Sequence, residues 1–165
     1  MFVVQGVPLI AQDLDNACWF ASAQMVIQWR RGATQSCEDG IIDPSEDADA
    51  MAIYAANNGL SDDQILTLAN NLGLQPIPPM CPTIGAMKHW LHHYGPLWTN
   101  GSSHITVIGG VNAGNGKILV YDPWPVNVGK VEWRTMGWLA GVDGDADVDS
   151  LDPNTFAGVF LHCPA

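Results

Sequence analysis

The stretch from Asn16 to Trp29 is apolar on nearly every side when wound as a helix, interrupted only by Asn16, Ser22, Gln24 and Gln28. A helix of that kind belongs inside a fold rather than on its surface. The pattern predicts a start at Asn16 to Cys18, with Asp15 or Asn16 as N-cap. It predicts an end just after Arg30 and Arg31, with Gly32 past the last turn. Residues 36–50 are acidic and loop-like, and a second helix is expected to run to about Asn57. A third starts at Ser61, where Gln64 offers a capping box, carries Ile65, Leu68 and Leu72 as its stripe, and stops at Gly73. The run from Pro76 to Pro82 reads as a connector. A fourth helix, from Thr83, bears Met87, Trp90, Leu91 and Tyr94 before Gly95-Pro96 ends it.

Beyond Pro96 the pattern changes. Residues 104–111 and 117–121 read as two strands joined by a hairpin at Asn112-Ala-Gly-Asn-Gly116. Residues 128–133 and 155–162 are further strand segments. Helices first and antiparallel strands second describe an α+β fold. At 165 residues the chain has material for one core, so a single domain over 1–165 is expected.

Composition narrows the partners. Hydrophobic residues make up 47% of the chain and charged ones 14%, which is a globular balance. The net charge of −11 repels phosphate backbones and argues against nucleic acid, while it favours a basic protein partner. The first twelve residues lack a basic stretch and are soon interrupted by polar side chains. They read as neither a signal peptide nor a membrane span. The cysteines at 18, 37, 81 and 163 form no CxxC pair and no zinc spacing, and are expected as free thiols.

One of those cysteines opens the buried helix. Backbone N–H groups at a helix N-terminus favour negative charge, so a thiolate at Cys18 is stabilised there, and it needs a base. His104 begins one strand and Asp122 ends the next. Strands joined by a hairpin bring their outer ends together, so a carboxylate at 122 can hold an imidazole at 104. Trp19, Trp98 and Trp124 stand beside these residues in the sequence, as walls for a substrate or shields for the His–Asp pair. Against this, a lone cysteine is usually a small buried hydrophobe.

Gln12, six residues before Cys18-Trp19, completes a segment that resembles the active-site stretch of papain-like cysteine proteases. ValProLeuIleAlaGln and AlaCysTrpPheAlaSerAlaGlnMet look like the papain-like effector proteases of plant-pathogenic bacteria. So do Gly95-Pro96-Leu97-Trp98 and the turn Asp122-Pro123-Trp124. The chain is also similar to bacteriocin-processing peptidases, which cut behind double-glycine leaders, although Trp19 stands where those have glycine. The resemblance spans about Val7 to Trp138. It implies a papain-like domain with Cys18 as nucleophile, His104 as base, Asp122 as orienting acid and Gln12 completing the oxyanion hole, with no cofactor. It also implies a protein substrate cut after Gly-Gly and a toxin or effector role. The producer would keep the protein in its cytoplasm, deliver it by a specialised route and need an immunity protein.

Other readings remain on the same residues. A Cys–His dyad also serves glutamine deamidation, transamidation and peptidoglycan amide cleavage, and a degenerate protease scaffold can act as a binding module. His89 and His93 have i,i+4 spacing but no third ligand, so no metal site is expected. The aspartates of residues 143–152 lack the glycine and the final glutamate of a calcium loop, and read as solvated.

Overall fold

The computed structural model describes residues 1–34, 40–78, 82–101, 104–141 and 158–165. Helix α1 (Cys18–Thr34) begins where the apolar run predicts but passes through Gly32 to Thr34. Gly32 is exposed, and a glycine inside a helix costs only about 1 kcal/mol relative to alanine. That is too little to end a helix whose other face is buried. The expected N-cap is also absent. The residue before α1 is Ala17, and the Asn16 amide is drawn aside to the Asn57 carbonyl, 2.9 Å away.

The described part of the acidic segment, from Gly40 on, holds more regular structure than its composition suggests. A 3-10 turn spans Pro44–Glu46, and Asp47 caps α2 (Ala48–Ala55) by accepting the Ala50 N–H. Helix α3 (Asp62–Leu72) starts at the Ser61/Gln64 pair and ends at Gly73, whose φ of +76° suits the residue without a Cβ. Helix α4 (Ile84–Tyr94) is capped by Thr83, and a single turn, α5 (Met136–Leu139), follows the last long strand.

Seven strands of the described residues make one antiparallel sheet: β1 (Phe2–Val3), β2 (Gln75–Pro76), β3 (Leu97–Asn100), β4 (Ile105–Asn112), β5 (Lys117–Asp122), β6 (Lys130–Thr135) and β7 (Phe160–His162). Their order is β2-β7-β3-β4-β5-β6, and β1 joins β4 at Gly110 and Val111. The β4–β5 hairpin is the one predicted, and its register pairs Val107 with Tyr121. His104 therefore enters β4 beside the place where Asp122 leaves β5.

The sheet is covered on both faces. Trp98, Ile105, Val107 and Leu161 pack with α1, α2 and α3 in one core. Leu97, Ile108, Val111, Ile118 and Val120 pack with α4 and α5 in the other. Neighbouring residues of a strand point to opposite faces. Leu97 and Trp98 thus enter different cores, and β4 is apolar throughout instead of alternating. The result is the α+β papain-like arrangement, with α4 on the far side of the sheet from α1.

Two tryptophans are corrected here. Trp19 and Trp98 are both 0% exposed. The Trp98 indole donates to the Trp19 carbonyl at 3.1 Å, and the Trp19 indole donates to the Asn58 carbonyl at 3.0 Å. Buried indoles need such partners. Neither ring lines a cleft; both fasten α1 to what surrounds it. Trp98→Ala should therefore cost about 3–5 kcal/mol and lower Tm by roughly 6–20 °C. Thermal unfolding followed by circular dichroism checks this, and a wild-type melt would contradict the packing role.

Candidate active site

The site lies where the start of α1 meets the open end of the β4–β5 hairpin. Because no side chain caps α1, the N–H groups of Cys18 and Trp19 have no acceptor among the described residues. An uncapped helix start directed at a thiol is a site for negative charge. Cys18 is a half-buried free thiol.

His104 sits between two groups. Its Nε2 lies 2.6 Å from Asp122 Oδ1, and Cys18 lines the same cleft beside the ring, near enough to act on its pKa. Burial pushes the His104 pKa down. The hydrogen bonds to Asp122 and Cys18, with their charges, push it up more strongly, to about 9. The carboxylate of Asp122 is itself buried, at 3% exposure. Its Oδ1 also accepts the Trp124 N–H at 2.9 Å, which fixes it at the turn. The geometry brings Cys18, His104 and Asp122 together.

Gln12 is placed differently from its sequence expectation. Its backbone N–H donates to Pro123 O at 3.0 Å, and its carbonyl accepts from Asn127 N–H at 2.7 Å, which ties it to the loop after Asp122. Both protons of its side-chain amide are spent on the carbonyls of Leu14 and Asp15, at 2.8 and 2.9 Å. Turning the amide over would set oxygen against two carbonyl oxygens, so this orientation is the one the surroundings demand. The expected oxyanion donor is, in this structure, a brace on the loop leading to Cys18. The N–H free for an oxyanion is that of Cys18 itself.

A cleft of about 230 Å³ opens at the pair, lined among others by Asp15, Asn16, Cys18, Leu60, Asp62, Ile65, Gly101, His104 and Ile105. Trp124 is 45% exposed and is not among the residues lining this cleft. A cavity of about 370 Å³ between α2 and α3 contains none of the expected site residues. His89 and His93 stack with ring centroids 6.0 Å apart, and among the described residues no group of three His, Cys, Asp or Glu is placed to hold a metal ion. The acidic segment 143–152, Cys37 and Cys81 lie outside the described residues.

Several residues of the site were not singled out in the sequence. The end of α2 and the residues after it are fastened to the loop before Cys18: Tyr54 donates to Asp13, Asn57 Oδ1 accepts the Asn16 N–H at 3.0 Å, and the Asn57 carbonyl accepts the Asn16 side chain. Asn57 has φ +52°, a left-handed conformation that asparagine tolerates better than most residues. Gly101 donates its N–H to the His104 carbonyl at 2.8 Å. A Cβ there would come within 2.8 Å of the Leu139 carbonyl oxygen. The sequence signals were present, an Asn-Asn-Gly run and a glycine just before the histidine strand, but nothing in them says what they touch.

A family model described as "Papain-like cysteine protease AvrRpt2" matches residues 1–136. No curated protein matches the chain.

The raised His104 pKa carries a stability signature. A group whose folded pKa exceeds its unfolded value near 6.5 stabilises the fold fully below that value. That contribution is lost as pH rises through about 9. The stability difference between wild type and His104→Gln should therefore shrink between pH 6.5 and 9. Urea titrations across that window check it, and a difference that grew with pH would contradict the pairing.

Proposed function

The chain belongs to the AvrRpt2 papain-like cysteine protease family, and from that membership we propose that it is a cysteine endopeptidase working through Cys18, His104 and Asp122. The observation that carries this reading is the His104 ring, held by Asp122 at 2.6 Å with the Cys18 thiol beside it in the same cleft. In the mechanism, the Cys18 thiolate attacks the scissile carbonyl carbon, and the C=O electron pair moves onto oxygen. The Cys18 N–H at the uncapped helix start stabilises that oxyanion. His104 then gives its proton to the departing amine, leaving a thioester. His104 next takes a proton from water, whose oxygen attacks the thioester and releases Cys18 as thiolate. Asp122 keeps Nε2 engaged, so Nδ1 stays toward the sulfur.

The finer reading follows the resemblance to effector proteases: a bacterial toxin or effector that cuts a protein in a target cell, with an immunity protein in the producer. No helix of the described residues is long and apolar enough to cross a membrane. A Gly-Gly preference before the cut now rests on the resemblance to bacteriocin-processing peptidases alone. The tryptophans expected as walls for a substrate lend it no support, since Trp19 and Trp98 are inside the core.

Three experiments test the reading. Iodoacetamide at neutral pH should alkylate Cys18 well before the buried Cys163, with His104→Ala slowing that labelling. Equal rates for the two thiols would remove Cys18 as nucleophile. Peptides carrying Gly-Gly should be cut, and a Gly→Leu change at either position should abolish cleavage. Preference for a bulky aliphatic residue there would end the Gly-Gly assignment and leave the triad untouched. Gln12→Ala should lower both kcat and Tm, since the side chain braces the loop with two hydrogen bonds, each worth about 0.5–1.5 kcal/mol. A fall in kcat with an unchanged Tm would restore it as a pure oxyanion donor.

A further inference from the structure

The hydrogen bonds of Asp122 Oδ1 are accounted for, and those of Oδ2 are not. Oδ1 accepts from His104 and from the Trp124 N–H. Oδ2 faces Lys130, whose Nζ is 3.9 Å away. The two residues are direct partners in the β5–β6 ladder, so the backbone itself fixes the approach. On the same face of β6, two residues on, Glu132 holds that ammonium at 2.7 Å, and Arg134 in turn bonds Glu132 at 2.8 Å. Read outward from the cleft beyond Cys18, the charges alternate: the His104 imidazolium, Asp122, Lys130, Glu132, Arg134.

We propose that Lys130 is a positioning residue of this site, holding the second oxygen of Asp122 and thereby setting the pH at which His104 gives up its proton. The proposal rests on the triad reading above. Both hydrogen bonds of Asp122 fall on Oδ1, so the carboxylate can still swing its Oδ2, and a cation facing that oxygen opposes the swing. The same cation weakens the field that Asp122 exerts on His104. Glu132 works against both effects by drawing the ammonium toward itself. Among the described residues, the titratable and charged groups around His104 are Cys18 and Asp122 beside the ring, Lys130 and Glu132 beyond Asp122, and Asp15 and Asp62 on the walls of the cleft. Only the β6 pair is altered in the test.

The experiment uses the full chain with labelled histidine, reading the His104 titration by NMR, assigned against His104→Ala, beside the pH profile of kcat/KM. Lys130→Met removes the cation and keeps the apolar stem. It should raise the His104 midpoint and the alkaline limb by a few tenths of a pH unit, and lower kcat several-fold with KM unchanged. Glu132→Gln releases Lys130 toward Asp122 and should move the midpoint the opposite way. Lys130→Arg should restore wild-type behaviour. Added salt should shrink both shifts, because Lys130 is partly exposed. Identical His104 midpoints in wild type, Lys130→Met and Glu132→Gln, or shifts of the same sign in the two variants, would overturn the proposal. Should Lys130→Met fail to fold, Glu132→Gln and the salt dependence decide it alone. A chain that cuts no peptide yet shows the opposed shifts would sink the protease reading and leave the Lys130 coupling in place.

Discussion

The contact on which the rest of the site depends is the one between a histidine at the mouth of a strand and a carboxylate buried at the end of the next. Asp122 has almost no water around it, so it persists as a charge only if its neighbours supply what water would have supplied. The His104 ring, a turn N–H and the ammonium across the ladder do so. In return the carboxylate gives the imidazole a fixed edge and a reason to stay protonated. The thiol then meets a cation whose orientation was settled elsewhere in the sheet. The tight β4–β5 hairpin, with β4 buried on both faces and β5 on one, serves this contact: a loose sheet would not hold two such groups at one distance.

The nucleophile's side of the cleft follows another logic. A helix start is ordinarily closed by a side chain such as Asp15 or Asn16. Here Asn16 is turned away to Asn57, Asp15 is exposed, and Gln12 holds the carbonyls of the intervening loop. The first-turn N–H groups stay uncapped: Asn16 is used elsewhere, and the exposed Asp15 carboxylate makes no hydrogen bond to them. The loss in helix stability is offset by the burial of α1, whose Trp19, Met25, Val26 and Ile27 are wholly inside the core.

Much of this was legible in the sequence, and what was not has a common cause. The buried helix, its starting cysteine, the hairpin and the His104/Asp122 pair each come from local pattern plus one topological rule, that hairpin strands share their ends. The misreadings all concern what lies across space. Trp19 and Trp98 adjoin site residues along the chain, but one points back under the helix and the other through the sheet. Gly32 carries the mark of a helix stop, yet the packing of the turns around it carries the helix on. Gln12 was expected to donate into the cleft, and its protons go to carbonyls two and three residues away. Lys130 drew no attention because a lysine in an edge strand is ordinarily solvated. Only the register beside Asp122 gives it meaning.

One strand bears on how the chain comes off the ribosome. Strand β7 lies between β2 and β3 in the middle of the sheet, and its Leu161 belongs to the same core as the nucleophile helix. It lies beyond the matched residues 1–136, and Cys18, His104 and Asp122 are all synthesised well before it. A nascent chain that has already emitted Cys18, His104 and Asp122 thus has a sheet with a gap in its interior. In such a chain α1 rests on an incomplete floor. The site's side chains are encoded early and the platform late, so the same topology that stabilises the finished protein delays the moment at which Cys18, His104 and Asp122 are held together.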